Sequence, residues 1–443
     1  MSKETTLEER MQIIELSAQG YRDRQIAKLL DVSVDTVRKW RRRQRQAGRP
    51  GLASQMGRRK AGAMSSFPAT IQQRILQWRK AHPGWGANTL HSELKVHESV
   101  MESKQPSPAT IGRYLLEQGL TDAYEPHREL PQTAEQAAAC PHDVWEMDAR
   151  GAESVSGVGK VALIDVNDRR SHLRLISYPC WLGEQRVQRH PDTEDYQTVL
   201  RLAFTEWGRP QRVQVDHESV FYDNKSKSPF PTRFHLWLMA LGIHLTFGRY
   251  NRPTDQALTE RSHQLWFAQC LQGQHYPSWD ALYLTLCRRR DFLNLHLPCA
   301  SLGGQPPLLA LPQAISSHRP YRPEAERALL DLQPIYDYLA QGRWFRLVSK
   351  DGTFSLGAQV YYIGTSYARQ QLEITFDPTD QQLLCCAPTG QFIARLPIAG
   401  ISVDALMGAM ADFIHLPFFQ FALPFDWHSQ RVVRLFEHGG MTT

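Results

Sequence analysis

The sequence lacks the features that mark several common classes of protein. Its seven cysteines include no Cys-x-x-Cys pair, which argues against a disulfide framework and a structural zinc site. No apolar run approaches the ~20 residues of a membrane-spanning helix. Residues 1–6 also lack the apolar stretch of a signal peptide. We therefore expect a cytoplasmic protein with reduced thiols and no membrane partner.

Positive charge is concentrated at one end of the chain. The 443 residues carry a net charge of +6, and residues 1–60 hold 15 Lys or Arg against 7 Asp or Glu, so the remainder is slightly acidic. A basic end on a nearly neutral body is typical of a protein that binds a polyanion. We expect that polyanion to be double-stranded DNA, and the protein to be nucleoid-associated. The length allows about three domains that each bury a core.

Residues 1–60 are predicted to form a helix-turn-helix module with a basic linker. Apolar residues recur at helical spacing in Leu7–Ser17 and Tyr21–Leu30, and Gly20 separates the two helices. Ser33 then caps a basic third helix, Val34–Arg45. This order is typical of DNA-binding domains, although a solvated helix in a small bundle would show the same pattern. The residues predicted to meet DNA are Ser33, Asp35, Thr36, Arg38, Lys39, Arg42, Arg43 and Arg45, with Arg58, Arg59 and Lys60 in the linker.

A second all-α module is predicted over residues 61–120. Three segments have helical patterns: Ala69–Ala81, Asn88–Lys95 and Ser107–Leu116. The third begins with a capping serine and suits a second recognition helix in a winged-helix-like arrangement, with Thr110 and Arg113 as DNA contacts. A spacer bundle without DNA contacts is the alternative. Residues 121–142 have the polar composition of a linker.

Residues 143–312 alternate between strand and helix patterns. The predicted strands are Val144–Asp148, Val158–Asp165, Leu173–Tyr178, Arg212–Val215 and His244–Phe247. The predicted helices are Thr193–Trp207, Arg233–Leu241, a helix that carries Glu260, and Trp279–His296. Three meandering strands followed by strand–helix units predict an α/β domain with a mixed sheet flanked by helices.

Three acids of this domain stand where a metal site could form. Asp148 and Asp216 each follow or end a predicted strand, and Glu260 lies one turn inside a predicted helix. A carboxylate at a strand edge is costly to bury unpaired, and a divalent cation is a common partner. Asp165 or Asp168 could be the first ligand instead of Asp148, and Glu260 could simply pair with an arginine on a solvated face.

The order of these residues resembles that of the DDE transposases and retroviral-type integrases, whose core is ribonuclease-H-like. The resemblance rests on Asp148, on Asp216 with Phe221 five positions later, and on Glu260-Arg261 after a loop that contains proline. Residues 294–307 look like the family's Asn-x-x-Arg-Pro-His-x-x-Leu-Gly-x-x-Pro signature without its Arg-Pro-His part. The two N-terminal modules match those of bacterial insertion-sequence members.

This resemblance implies a transposase that binds transposon ends and catalyses 3′-end cleavage and strand transfer. Asp148, Asp216 and Glu260 would be catalytic and would hold two Mg²⁺ ions, with Mn²⁺ able to substitute. Two ends and a target must meet, so a homodimer or higher oligomer on DNA is implied, and the need for accessory proteins stays open. The side chains implied to meet phosphates near the site are Arg249, Arg252 and Arg261.

The chain departs from the family pattern in two places. Asp216-His217-Glu218 replaces the family's Asp-Asn-Gly and puts an extra acid beside the predicted metal site. Asp216 and Glu260 are separated by 43 residues, more than is usual, and the polar segment Tyr222–Pro231 is predicted to be a loop insertion. A catalytically silent, domesticated DNA-binding protein acting as a repressor or targeting factor therefore stays open. So does a ribonuclease-H-like nuclease that cuts without joining.

The C-terminal quarter is predicted to hold a connector, a small β-barrel and a tail. Residues 313–342 form the connector, with one helix at Pro323–Leu339. Residues 343–400 form the barrel, whose role as a DNA or subunit contact or as a structural cap stays open. Its predicted strands are Trp344–Ser349, Thr353–Tyr362, Gln370–Phe376, Gln382–Ala387 and Gln391–Pro397. Residues 401–443 are rich in apolar side chains and are expected to pack on the barrel or on another protomer.

Overall fold

The fold was analysed in a computed structural model of the chain. It describes residues 5–53, 62–97, 105–122, 138–183, 189–248 and 257–410, without the side chains of residues 257–260. The chain forms two compact units, residues 1–65 and 66–443, which are treated separately. No helix in the described ranges is both long and apolar enough to span a membrane.

The described residues form fourteen α-helices and eleven strands. The helices are α1 (Leu7–Ala18), α2 (Asp23–Leu29), α3 (Val34–Ala47), α4 (Ala69–Ala81), α5 (Ala87–His97), α6 (Pro108–Glu117), α7 (Thr193–Trp207), α8 (Arg233–Ala240), α9 (Ala257–Trp266), α10 (Trp279–His296), α11 (Pro307–Ala310), α12 (Glu326–Leu329), α13 (Gln333–Ala340) and α14 (Val403–Met407). The strands are β1 (Val144–Val155), β2 (Gly159–Asp168), β3 (Arg174–Trp181), β4 (Arg212–Val215), β5 (His244–Phe247), β6 (Trp344–Leu347), β7 (Thr353–Leu356), β8 (Gln359–Tyr362), β9 (Gln371–Asp377), β10 (Gln382–Cys386) and β11 (Phe392–Pro397).

The N-terminal unit is the predicted three-helix module. Ser33 caps α3 by accepting a hydrogen bond from the Thr36 backbone N–H at 3.1 Å, as its position predicts. The core contains Ile13, Ile26, Val37, Trp40 and Leu52. Leu7 and Leu29 are 52% and 61% exposed, whereas Ile13 and Ile26 of the same helices are fully buried.

The second unit begins with the predicted second helical module, α4 to α6. Ser107 caps α6, and the Thr110 backbone N–H donates to its hydroxyl at 3.3 Å. Ile75, Leu90 and Ile111, one from each helix, are fully buried. The described part of residues 66–122 contains helices and no strand, so it does not show the wing of a winged-helix domain.

A five-stranded mixed sheet forms the centre of the second unit, as predicted. The strand order is β3-β2-β1-β4-β5. β1 pairs antiparallel with β2 and parallel with β4, and β4 pairs parallel with β5. The prediction that the first strand ends at Asp148 is wrong, because β1 continues to Val155 and keeps its pairing with β2. Asp148 therefore lies inside a strand, where its carboxylate points out of one face of the sheet.

Helices cover both faces of this sheet. Trp145 and Ile164 point to the face that α7 and α8 cover, where Phe204 and Trp237 are fully buried. Val161 and Leu163 point to the opposite face and pack in a separate core with residues of α9 and α10, including Trp266. Because side chains alternate along a strand, Asp148 and Asp165 lie on the α9 face.

The second helical module packs directly on the α9 face of the core. A π-helical turn, Phe267–Leu271, follows α9, and the Trp85 indole N–H donates to its Gln269 carbonyl at 3.2 Å. The Arg289 guanidinium of α10 lies 4.3 Å from the Trp85 ring centre and forms a buried ion pair with Glu93 of α5. The α4–α6 module is therefore attached to α10 and to the turn that follows α9, the helix that carries position 260.

The predicted single connector helix is wrong, and the predicted small β-barrel is not confirmed in the described residues. Residues Pro323–Leu339 do not form one helix. A short 3₁₀ segment leads into α12, and an extended Leu330 then separates α12 from α13. The predicted strand Thr353–Tyr362 is a hairpin, because Gly357 and Ala358 both have positive φ (59° and 60°) and form its turn. In the described residues this region contains a four-stranded sheet, β11-β10-β9-β6, and the two-stranded hairpin.

Candidate active site

The pairing of β1 with β4 places two predicted catalytic acids side by side. The parallel register aligns Val144 with Arg212 and Glu146 with Gln214. Extended by two residues, the same register brings Asp148 level with Asp216. Neighbouring strands are about 4.8 Å apart, and residues at the same level of adjacent strands point to the same face of a sheet. The register therefore places Asp148 and Asp216 at the same level of neighbouring strands, and their role as metal ligands stays a prediction.

The loop after β4 is held by a tyrosine that the sequence analysis did not single out. Glu218 donates its backbone N–H to Asp216 Oδ1 at 3.0 Å. Tyr196 of α7 is buried and donates its hydroxyl to Glu218 Oε2 at 3.1 Å. Burial raises the pKa of Tyr196, and the carboxylates of Glu218, Asp216 and Asp148 raise it further. The Tyr196 hydroxyl therefore stays protonated and lies within electrostatic range of all three acids.

A second acid, Asp165, lies opposite Asp148 on β2. The antiparallel register pairs the two residues directly. Asp165 is fully buried, and neither of its carboxylate oxygens has a hydrogen-bond partner among the described residues. Burial raises its pKa to about 7; the Asp148 carboxylate adds to the rise, while Ser177, Arg174 and Arg150 oppose it. The alternative role of Asp165 as first ligand stays open.

The imidazole of His263 lies between these two acids. Its Nδ1 is 3.9 Å from Asp148 Oδ2, and its Nε2 is 3.4 Å from Asp165 Oδ2. The side chain is 11% exposed, and burial, helped by the Arg150 charge, lowers the pKa of His263 to about 4. Sequence analysis could not have found this contact, because the three residues come from separate elements and no local pattern joins them.

The helix predicted to carry Glu260 is present and lies over the sheet. Position 260 is in α9, one helical turn before His263 and on the same side of the helix. Arg150 Nη1 donates to the His263 carbonyl at 3.0 Å, and Ser262 donates to Asn167 Oδ1 at 3.2 Å. These contacts fix α9 against β1 and β2. The side chain of Glu260 lies outside the described residues.

The donor chemistry of this site suits a hard divalent cation. Asp148, Asp216 and Glu218 offer carboxylate oxygens, which Mg²⁺ prefers to nitrogen or sulfur. Within the described side chains, which exclude that of Glu260, no three His, Cys, Asp or Glu form a group placed to hold a metal ion. The site's fit to Mg²⁺ therefore rests on the carboxylates of Asp148 and Asp216 and on the place of residue 260 in α9.

The predicted loop insertion after β4, Tyr222–Pro231, packs against the C-terminal sheet. The Trp344 indole N–H donates to the Pro229 carbonyl at 3.1 Å, and Arg346 Nη1 donates to the Ser228 carbonyl at 2.8 Å. Phe230 packs edge-on against Trp344 with ring centres 4.9 Å apart. The segment therefore connects the loop after Asp216 to the first strand of the C-terminal sheet.

The basic residues of α3 differ in their availability to DNA. Asp35, Arg38, Lys39, Arg42 and Arg45 are exposed, while Thr36 and Arg43 are partly buried. The Arg38 guanidinium lies 3.7 Å from Asp23 and 3.5 Å from Asp35. The role of this helix in DNA binding stays a prediction, and the structure favours Lys39, Arg42 and Arg45 as the side chains that reach out.

The two predicted contacts in α6 have different environments. Thr110 is 7% exposed, and its hydroxyl lies 3.0 Å from that of Ser107, so it completes the helix cap and does not face DNA as predicted. Arg113 is exposed, and its Nε donates to the Ala109 carbonyl at 3.3 Å. Arg261 is exposed at the site. The predicted contacts that lie outside the described residues are Arg58, Arg59, Lys60, Arg249 and Arg252.

Models of known domain families match the N-terminal quarter of the chain. One homeodomain-like domain model matches residues 4–53, and a second matches residues 36–115. The N-terminal region is homeodomain-like. The helix-turn-helix prediction is thereby confirmed for this region, and the second match reaches from α3 into α6.

Solved structures similar to this chain include retroviral integrase domains. The trimeric form of the HTLV-2 integrase catalytic core domain, in complex with magnesium, is 12% identical over 39% of this chain and 97% of that chain, with a TM-score of 0.28. A chain of the simian T-cell lymphotropic virus intasome in complex with PP2A regulatory subunit B56 gamma is 13% identical over 70% of this chain and 99% of that chain, with a TM-score of 0.31. At such scores we draw no functional conclusion from them.

Proposed function

We propose that the protein is a DNA transposase of the DDE type. It binds transposon ends through its N-terminal modules and catalyses metal-dependent 3′-end cleavage and strand transfer in a ribonuclease-H-like core. One observation carries the proposal. The sheet register sets Asp148 level with Asp216, and His263, on the same helix as Glu260, has its Nδ1 3.9 Å from Asp148 Oδ2.

Asp148, Asp216 and Glu260 are the residues that would hold two Mg²⁺ ions, with Mn²⁺ as a substitute. When bound, such ions activate the attacking water or 3′-hydroxyl and stabilise the leaving oxygen of the phosphodiester. The protein supplies two carboxylates from rigid neighbouring strands and one position on a tethered helix. Tyr196 and Glu218 hold the backbone after Asp216, so this carboxylate keeps its place at the end of β4.

The remaining basic side chains would orient DNA. Lys39, Arg42 and Arg45 on α3 would provide phosphate contacts in the N-terminal unit, and exposed Arg261 would provide one on the helix of Glu260. Strand transfer joins two transposon ends to a target. We therefore infer that two or more copies of the chain act together on DNA.

The test is divalent-metal-dependent nicking of DNA by the full-length chain. The substrate is a supercoiled plasmid that carries the DNA flanking the coding sequence, incubated with Mg²⁺ or Mn²⁺. We expect nicking by the wild type and its loss in Asp216→Asn and Asp148→Asn, with DNA binding retained. Binding without nicking would favour a silent DNA-binding protein, and nicking without joined products would favour a simple nuclease.

A further inference from the structure

The geometry behind Asp148 points to a role for His263 and Asp165 that the proposed chemistry does not yet use. We propose that His263, backed by Asp165, is a positioning residue: it orients the Asp148 carboxylate and sets the height of α9, and so of position 260, over the sheet. This inference rests on the proposed function. His263 acts through Asp148 and does not itself contact the reacting groups.

The orientation of Asp148 depends on contacts to both of its oxygens. Asp148 Oδ1 accepts the backbone N–H of Ala149 at 2.9 Å. Its Oδ2 faces His263 Nδ1 at 3.9 Å. Because the Asp148 carboxylate lies between the Ala149 N–H and the His263 imidazole, its rotation about the Cβ–Cγ bond is restricted. Outer-shell contacts of this kind determine how well a ligand meets its cation.

Asp165 supports the His263 imidazole on its Nε2 side, opposite the side that faces Asp148. It is fully buried, its Oδ2 lies 3.4 Å from His263 Nε2, and its oxygens accept no hydrogen bond among the described residues. Burying a carboxylate in this way is unfavourable, so a side chain without a role at position 165 would be better replaced by an apolar one. Its place directly across from Asp148 fits a support for the imidazole.

The same helical turn also anchors α9. Ser262 is bound to Asn167 of β2, and the His263 carbonyl accepts from Arg150 of β1. All these contacts are buried or partly buried, and they lie within one turn of position 260. A change at His263 therefore alters the placement of a whole helical turn relative to Asp148.

The test measures metal binding separately from stability. The melting temperature of the full-length chain is followed during titration with MgCl₂ or MnCl₂, since a bound ion stabilises the folded state. We expect His263→Ala and Asp165→Asn to shift the titration midpoint to about ten- to a hundredfold higher metal concentration. His263→Asn, whose amide replaces Nδ1 towards Asp148, should recover part of this loss. Plasmid nicking should fall in the same order.

The control is His142→Asn, which removes another buried imidazole of the core. His142 is 3% exposed, and its Nδ1 accepts at 3.0 Å the indole N–H of Trp145, whose side chain points to the sheet face opposite Asp148. It should lower the melting temperature and leave the metal midpoint unchanged. If His263→Ala does the same, the His263 contact is only structural and the inference is wrong. If Asp148→Asn also leaves the metal midpoint unchanged, the proposed function itself is wrong.

Discussion

At the scale of single residues, the cost of losing a charged side chain depends on whether its partner is buried with it. Glu326 is fully buried and accepts hydrogen bonds from Arg201 at 2.7 and 2.8 Å and from the Trp237 indole at 2.9 Å. Arg327, the next residue, forms an exposed ion pair with Asp404. The two neighbours thus form ion pairs of opposite kinds within one helical turn.

We predict that Glu326→Ala lowers the free energy of unfolding by about 3–5 kcal/mol, because it leaves the buried Arg201 charge without its partner. Arg327→Ala should change it by less than about 1 kcal/mol, since water screens the exposed pair. Urea denaturation of the two variants measures both values. Equal losses would contradict the distinction.

Asp165 gives a prediction about pH. Its pKa in the folded chain is raised to about 7, so between about pH 4 and 7 the unfolded chain releases this proton first and folding becomes less favourable. The charged or polar groups that face it are Asp148, Arg150, Arg174, Ser177 and His263. Asp165→Asn lacks this titration. Its stability relative to the wild type should therefore rise from pH 4 to 7, on the order of 2–4 kcal/mol, and stay level above pH 7.

Chemical denaturation at pH 4.5, 6 and 8 would measure this difference. The lowered pKa of His263 acts in the opposite direction, because its contribution is lost as the pH falls below its ordinary value. His263 is present in both proteins, so the difference between them reports on Asp165. Parallel stability curves across this range would show that Asp165 does not titrate there.

At the scale of elements, a close backbone approach fixes the helical module on the core. A Cβ added to Gly84 would lie 1.9 Å from the Ala268 carbonyl oxygen in the π-helical turn, whereas one added to Gly86 would meet nothing within 4 Å. Trp85, between them, donates to the carbonyl of Gln269 in the same turn. Glycine is therefore needed at position 84 and not at position 86.

We predict that Gly84→Ala displaces α4–α6 and lowers the free energy of unfolding by about 1–3 kcal/mol, the usual cost of overpacking. Gly86→Ala should be neutral or slightly stabilising, since it only restricts the unfolded chain. Thermal unfolding and limited proteolysis between α6 and β1 would compare the two. Identical behaviour of the two variants would contradict this interface.

The sequence predicted elements well where local signals were complete and poorly where distant residues decided. Capped, periodic helices such as Thr193–Trp207 and Trp279–His296 are present with the predicted bounds. The prediction for the end of β1 is wrong because Asp148 interrupts the apolar pattern in the sequence, whereas pairing with β2 continues the strand. The contact of His263 with Asp148 and Asp165 depends on tertiary packing, which no local spacing encodes.

At the scale of the whole molecule, the basic helix α3 and the proposed catalytic acids belong to different compact units. DNA affinity and metal response should therefore be separable by mutation. Arg42 is exposed on α3, whereas its neighbour Arg41 is partly buried in an ion pair with Asp23. The first is placed for a phosphate contact and the second for holding α3 to α2.

We predict that Arg42→Ala weakens DNA binding and reduces the slope of log affinity against log salt by about 1, the value for one lost phosphate contact. The metal titration midpoint should not change. Arg41→Ala should lower the melting temperature and leave the salt slope closer to that of the wild type. Fluorescence anisotropy with a labelled duplex at several salt concentrations gives the slopes, and equal slopes for Arg42→Ala and wild type would contradict the assignment.

The hydrogen bonds between the Tyr222–Pro231 segment and β6 have a mechanical consequence. Because Ser228 and Pro229 are bonded to the first strand of the C-terminal sheet, this sheet cannot separate from the core without breaking those bonds or pulling on the chain that leads back to Asp216. A load applied to this sheet would therefore be transmitted to the peptide that bears the proposed ligand Asp216. Tension on the C-terminal sheet would in this way alter the geometry at the end of β4.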